Sequence, residues 1–219
     1  MGVQLRPARD TDSALIIDAL QMAARGQLPR GPWDFAFPDA AERARGLAQI
    51  SGGAERSFCH RSVFRVAELA GTPSAALCAF DASQFDAGAL GRALFAAFAA
   101  LAFAPERSAS VLSQLAAYAA CFPDMPPHTW IVENVATRPE ARRRGLVAAL
   151  LDDALEAGRR AGLASAQISV LIGNDAAQLA YERAGFRVVE TRSSEAFERL
   201  MGTPGFSRMT LVLDGRNAR

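Results

Sequence analysis

The sequence contains no lysine, since all 24 of its basic residues are arginine. A lysine Schiff base, a lysine nucleophile and the lysine of a nucleotide-binding P-loop are therefore excluded. The G-x-G-x-x-G pattern of dinucleotide-binding folds is absent as well. Any phosphate-binding site in this chain must therefore use other residues.

Cysteine and histidine are scarce. The three cysteines, Cys59, Cys78 and Cys121, are widely spaced, and their odd number is typical of reduced thiols in a cytosolic protein. His60 adjoins Cys59, but nothing nearby in the sequence completes a metal site around this pair. We therefore expect a cytoplasmic protein without a bound metal.

Long apolar runs and an excess of one charge are also missing. Segment 87–104 is the most apolar, but it is short and interrupted by Arg92, which favours a buried or interfacial helix over a membrane span. The N-terminal residues lack the apolar core of a signal peptide. The net charge of +1 gives no bulk attraction to nucleic acid or to an anionic membrane. The expected partners are small molecules, and the apolar segment 87–120 is a candidate homodimer surface.

Half of the 219 residues are hydrophobic, which is enough for one substantial core. Alternating apolar residues predict strands at 3–6, 62–69, 74–80, 129–136, 165–172, 186–191 and 208–213. Helical periodicity predicts helices at 13–24, 40–51, 87–103, 108–120, 145–161 and 174–184, with helical turns at 194–201. The order of these elements predicts a single α/β (α+β) domain with a mixed sheet of six to seven strands. We divide it into an N-terminal half (1–85), a helical insertion (86–126) and a C-terminal core (127–219).

One stretch, Arg-Arg-Arg-Gly-Leu-Val at 142–147, lies between a predicted strand and a predicted helix. Gly145 allows a ligand to approach the main chain closely. The new helix presents unpaired N–H groups, and its dipole favours negative charge. The stretch therefore predicts an anion-binding loop.

A second segment, 174–186, has the sequence Asn-Asp-Ala-Ala-Gln-Leu-Ala-Tyr-Glu-Arg-Ala-Gly-Phe. It resembles the Asn-x-x-Ala-x-x-x-Tyr-x-x-x-Gly-Phe segment of the GNAT superfamily of N-acyltransferases, and residues 142–147 resemble that family's [Gln/Arg]-x-x-Gly-x-[Gly/Ala] loop. Val147 departs from the pattern, and its β-branched side chain is expected to crowd a phosphate. The resemblance covers residues 129–213, whereas the first half is similar only in the order of its elements.

The resemblance implies the GNAT fold and a reaction in which acetyl-CoA gives its acetyl group directly to a primary amine. Main-chain amides of 142–147 would hold the pyrophosphate, and pantetheine would lie between strands 129–136 and 165–172. The main-chain N–H of Val135 would donate to the developing oxyanion. The residues implied in cofactor binding are Val135, Ala136, Thr137, Arg142, Arg143, Arg144, Gly145, Leu146, Val147, Asn174, Ala177 and Tyr181.

Two of these side chains, and one carboxylate, have alternative interpretations. By the resemblance, Tyr181 protonates or hydrogen-bonds the leaving thiolate; the alternative is a core residue, and we favour the functional role. Asn174 is also a good helix N-cap. Glu133 lies in the apolar strand 129–136, where a carboxylate is either the general base or a paired structural group.

The amine acceptor cannot be identified from these residues. Val147 and the apolar insertion also leave open a second function, that of a non-catalytic module that senses acyl-CoA or binds a protein partner.

Overall fold

The computed structural model describes residues 2–213. Seven strands form one sheet in the order β1-β2-β3-β4-β5-β7-β6, and only β4 and β5 are parallel neighbours. The strands are β1 (Val3–Pro7), β2 (Phe64–Leu69), β3 (Thr72–Asp81), β4 (Trp130–Thr137), β5 (Ser165–Leu171), β6 (Arg187–Ser193) and β7 (Gly205–Val212). This is the mixed seven-stranded sheet that the sequence predicts.

Eight α-helices cover the sheet. They are α1 (Ser13–Arg25), α2 (Pro32–Ala36), α3 (Ala40–Gly52), α4 (Ala89–Ala100), α5 (Pro105–Cys121), α6 (Leu146–Arg160), α7 (Asp175–Arg183) and α8 (Glu195–Met201). The two predicted helices of segment 86–126 are confirmed as α4 and α5, which join β3 to β4.

The two faces of the sheet are covered by different helices. On the front face, Cys78 and Ile131 pack in a core with residues of α1, α3, α4 and α5. On the back face, Leu77 and Val132 pack with residues of α6 and with Tyr181 of α7. A third cluster, rich in aromatic residues, joins α2, α5 and α8 to β5 and β7. Alternation along the strands places this cluster on the front face too, since Leu171 belongs to it and Val170 to the back core.

The central parallel pair is short. β4 and β5 pair over residues 130–132 and 166–168 only, and then separate. Their outer edges remain paired with β3 and β7. The register between β3 and β4 shifts between Ala76 and Cys78, and Asn134 has a positive φ of 54°, so a β-bulge bends β4 where β4 and β5 part. The gap beyond Val132 and Ile168 is called the cleft below.

Helix α2 is not predicted from the sequence. All five of its residues, including Pro32, Trp33 and Asp34, are buried, so it shows no amphipathic periodicity. Pro32 starts the helix, and the Asp34 carboxylate accepts a hydrogen bond from the Gly31 N–H at 2.8 Å. Capping and burial thus form a helix that hydrophobic periodicity cannot reveal.

Helix α6 packs closely against the sheet at Gly158. A Cβ atom added there would lie 2.8 Å from Cγ of Trp130. We predict that Gly158→Ala destabilises the protein by about 1–3 kcal/mol, because overpacking outweighs the better helix propensity of alanine. Urea unfolding measures this change.

The matched control is Gly91→Ala in α4, where an added Cβ meets no atom within 4 Å. This substitution should stabilise the protein by about 0.5–1 kcal/mol, since only propensity changes. Equal effects at the two positions would contradict the close approach of α6 to Trp130.

Candidate active site

The loop before α6 has the geometry of an anion site. Gly145 is the N-cap of α6, with a φ of 76°, and an added Cβ there would meet nothing within 4 Å. No side chain caps this helix, and its first turn contains no acidic residue. The first N–H groups of α6 are therefore left to an external acceptor, and the helix dipole favours an anion there.

The neighbours of Gly145 keep this loop open. Arg142, Arg143 and Arg144 are exposed. Val147 is partly buried and packs against the back core. At the end of β4, Oγ1 of Thr137 is buried without a hydrogen-bond partner in the described chain.

Asn174 caps α7, as its alternative interpretation predicted. Its Oδ1 accepts a hydrogen bond from the N–H of Ala177 at 3.3 Å. A Cβ added to Gly26 would lie 3.0 Å from Nδ2 of Asn174, and Nε2 of Gln27 donates to the carbonyl of Ile172 at 3.1 Å. The loop between α1 and α2 therefore reaches the end of β5 at the wide end of the cleft.

Tyr181 lies on the back face of the sheet. It is buried in the core formed with Val132, Ile168 and α6. Burial raises the pKa of its hydroxyl, and the charge of Glu133 raises it further. The phenol therefore stays protonated at neutral pH, which is the form that can donate a proton.

Glu133 lies on the front face, at the point where the strands part. It follows Val132, and Ser169 occupies the corresponding position after Ile168. Glu133 is 8% exposed, and both its Oε1 and the Ser169 Oγ are buried without hydrogen-bond partners in the described chain. Glu133 forms no salt bridge within residues 2–213, so no arginine neutralises its charge there.

Burial raises the pKa of Glu133 to about 8, and the hydroxyl and N–H of Ser169 oppose this shift. The carboxyl is therefore largely neutral near pH 7, and its ionised form, which prevails above about pH 8, is a stronger base than an ordinary glutamate carboxylate. A group poised in this way suits general base catalysis in a mildly alkaline range.

Glu133 and Tyr181 thus lie on opposite faces of the sheet at the cleft. Val135 and Ala136 follow on β4. Val135 is partly buried against the back core, and Ala136 lies in the front core. A carboxyl group on the front face could accept a proton from a molecule in the cleft, and a phenol on the back face could donate one to it. Side chains of β4 do not alternate regularly between the two faces after Glu133, because the bulge at Asn134 interrupts the strand.

Ser169 is a site residue that the sequence analysis missed. Its position within a predicted strand gives no signal, and only the register between β4 and β5 places it opposite Glu133. Tyr118 of α5 is one of the aromatic residues of the insertion, for which the sequence leaves open a core role or a wall over an acceptor pocket, and it packs against the aromatic front cluster near the same cleft.

The family follows from a sequence comparison. Residues 79–186 match the sequence model of the acetyltransferase (GNAT) family, a region that contains the cleft, the anion loop and the segment 174–186. Residues 79–186 belong to the GNAT superfamily. Membership indicates acyl transfer as the kind of reaction. No curated protein matches the sequence.

Solved structures agree on the fold. An N-acetyltransferase from Staphylococcus aureus Mu50 superposes with a TM-score of 0.66 at 15% identity, over 95% of this chain and 100% of that one. A GCN5-related N-acetyltransferase from Kribbella flavida gives 0.57 at 20% identity, over 96% and 97% of the two chains. At these identities the likeness concerns the GNAT fold.

Within residues 2–213, no group of three or more histidine, cysteine, aspartate or glutamate side chains is arranged to bind a metal ion. In the same part of the chain, no helix combines the length and apolarity needed to cross a bilayer.

The raised pKa of Glu133 has a consequence for stability. Between its ordinary value of 4.5 and about 8, folded Glu133 keeps a proton that the unfolded chain releases. The free energy of unfolding therefore falls as pH rises through this window. Glutamine cannot ionise, so we predict that Glu133→Gln raises the melting temperature relative to the native chain by more at pH 9 than at pH 5.

Thermal unfolding at both pH values measures this difference. A melting-temperature difference that is constant from pH 5 to pH 9 would mean that Glu133 titrates like an exposed carboxylate.

Proposed function

We propose that this chain transfers the acetyl group of acetyl-CoA to a primary amine. The observation that carries the proposal is the parting of β4 and β5 between Glu133 and Tyr181, beside the open anion loop of α6. An anionic, extended molecule with amide groups suits this arrangement, because the inner strand edges and the helix N-terminus both offer unpaired main-chain groups.

The residues present fit acetyl-CoA. The N–H groups of Leu146 and Val147 would bind its pyrophosphate with Arg142, Arg143 and Arg144 around them, and the inner edges of β4 and β5 would hold its pantetheine arm. When bound, acetyl-CoA supplies a thioester carbonyl to be attacked. Asn174 and Ala177, at the start of α7, border the same side as Tyr181.

The proton transfers can then be assigned to residues. Glu133 accepts the proton of the incoming amine on the front face, as the nitrogen forms its bond to the carbonyl carbon. The N–H of Val135 donates to the carbonyl oxygen while negative charge develops there. Tyr181 gives its proton to sulfur on the back face as the carbon–sulfur bond breaks.

Direct transfer is favoured over an acyl-cysteine. Cys59 and Cys78 are buried, and burial raises the pKa of both thiols. Burial also raises the pKa of Cys121. Thiols held in this form are poor nucleophiles at neutral pH, so no activated cysteine competes with the amine.

The first prediction concerns the anion loop. Asparagine and aspartate both tolerate the left-handed backbone of Gly145, but only aspartate adds a negative charge. An aspartate at this N-cap favours the helix while repelling a pyrophosphate. We predict that Gly145→Asp weakens acetyl-CoA binding at least about tenfold relative to Gly145→Asn, without loss of stability.

Calorimetric titration with acetyl-CoA and thermal unfolding without ligand measure the two effects. Equal acetyl-CoA affinity in the two variants would mean that the α6 N-terminus does not bind the pyrophosphate. A native chain that does not bind acetyl-CoA would refute the proposed function itself.

The second prediction concerns Tyr181. Tyr181→Phe retains the buried ring but removes the proton donor, so turnover should fall about 100-fold or more with little change in acetyl-CoA affinity. Thiol release in the presence of a reactive amine measures turnover. An unchanged rate would exclude Tyr181 as the acid. Binding of acetyl-CoA with no turnover of any amine would favour a sensor of acyl-CoA.

A further inference from the structure

A row of aromatic rings crosses the front of the cleft. The rings of Phe58 and Phe122 are nearly parallel, with centroids 6.1 Å apart, and Tyr118 follows at 6.2 Å from Phe122. Beyond Phe58 the row continues to Phe80 at 6.5 Å. We call Phe80, Phe58, Phe122 and Tyr118 the aromatic row. Two of its members come from the helical insertion and its closing loop.

One end of the row lies against the β4 side of the cleft. Nδ2 of Asn134 donates to the carbonyl of Phe58 at 3.3 Å, directly beside Glu133. Cys78, which is the sheet partner of Glu133, lies 3.5 Å from the same Nδ2. The main chain of Phe58 is therefore bound to the residue that follows Glu133 on β4.

The other end lies against the β5 side. Tyr118 packs on Phe206, with ring centroids 5.4 Å apart, and shares a cluster with Leu171. Leu171 is two residues beyond Ser169 on the same strand face. The row thus spans both strands of the cleft, over the two buried polar atoms that lack partners.

Carboxylates bordering the row are not free to bind cations. Asp34 of α2 is paired with Arg25 and Arg43. Asp124, which follows α5, and Glu190 of β6 are both paired with Arg192. A polyamine or an aminoglycoside carries several ammonium groups and requires several unpaired carboxylates. Asp81, which follows Phe80, is not buried, and its Oδ1 accepts hydrogen bonds from the N–H and the hydroxyl of Ser83 at 2.9 and 2.6 Å. Among these bordering groups of the described chain, Glu133 is the buried carboxyl group without an arginine partner.

We infer that the acceptor is a monoamine with an aromatic or bulky apolar body, and that the aromatic row is the wall that binds this body. The inference rests on the proposed function. The apolar body would pack on Phe122 and Tyr118, and its single amino group would face Glu133. The nitrogen gives its proton to Glu133 and bonds to the acetyl carbon, while the departing sulfur takes the proton of Tyr181.

An acceptor panel tests the inference. It compares 2-phenylethylamine, spermidine, kanamycin and a short peptide with an N-terminal alanine, using thiol release from acetyl-CoA. We expect kcat/KM for 2-phenylethylamine to exceed the others at least tenfold. A higher value for any of the other three would overturn the inference while leaving the proposed function intact, and so would acetyl-CoA binding with no turnover of 2-phenylethylamine. Failure to bind acetyl-CoA in calorimetry would refute the proposed function and the inference with it.

A matched pair of variants locates the wall. Phe122→Leu should raise KM for 2-phenylethylamine at least tenfold with an unchanged Kd for acetyl-CoA. Phe98→Leu, a control within the same insertion, alters a buried ring that packs on Phe37 and Phe103 away from the row, and should leave KM unchanged. Equal KM values for the two variants would overturn the inference. Phe122→Met, which keeps more of the side-chain volume, replaces Phe122→Leu if the latter does not fold.

Discussion

The separation of β4 and β5 after three paired residues is the constraint on which the site depends. The outer edges of both strands are fixed by antiparallel partners, so neither strand can move to close the gap. The bulge at Asn134 bends β4 at the same point. Main-chain groups on the inner edges are left without strand partners, and buried groups of this kind need one. An extended ligand with amides of its own satisfies that requirement.

The same separation divides the chemistry between two faces. Alternation along β4 places Val132 on the back and Glu133 on the front, and the back core contains Tyr181. Burial raises the pKa of Glu133 against the opposing contacts of Ser169, and burial also keeps Tyr181 protonated. A proton can thus be accepted on one side of the sheet and given on the other without the two groups competing for it.

The helices serve these two faces in different ways. On the back, α6 is held by the close approach of Gly158 to Trp130 and by the ion pair of Arg65 and Asp153 at 2.7 Å. That packing fixes the N-terminus of α6 as an anion site at the end of β4. On the front, the insertion brings Tyr118 and Phe122 over the cleft. The insertion therefore contributes to the proposed acceptor side as well as to the core.

Local signals in the sequence determined the elements and the anion loop, because periodicity, capping residues and glycine act over a few positions. They placed Gly145 at a strand-to-helix junction and Asn174 at a helix start, and they identified the family. They missed α2, whose residues are all buried. Only the tertiary structure decided that Glu133 meets Ser169, that Val147 packs into the core, and that Tyr118 lies near the cleft. Those relations depend on the register and packing of elements far apart in the chain, which no local pattern encodes.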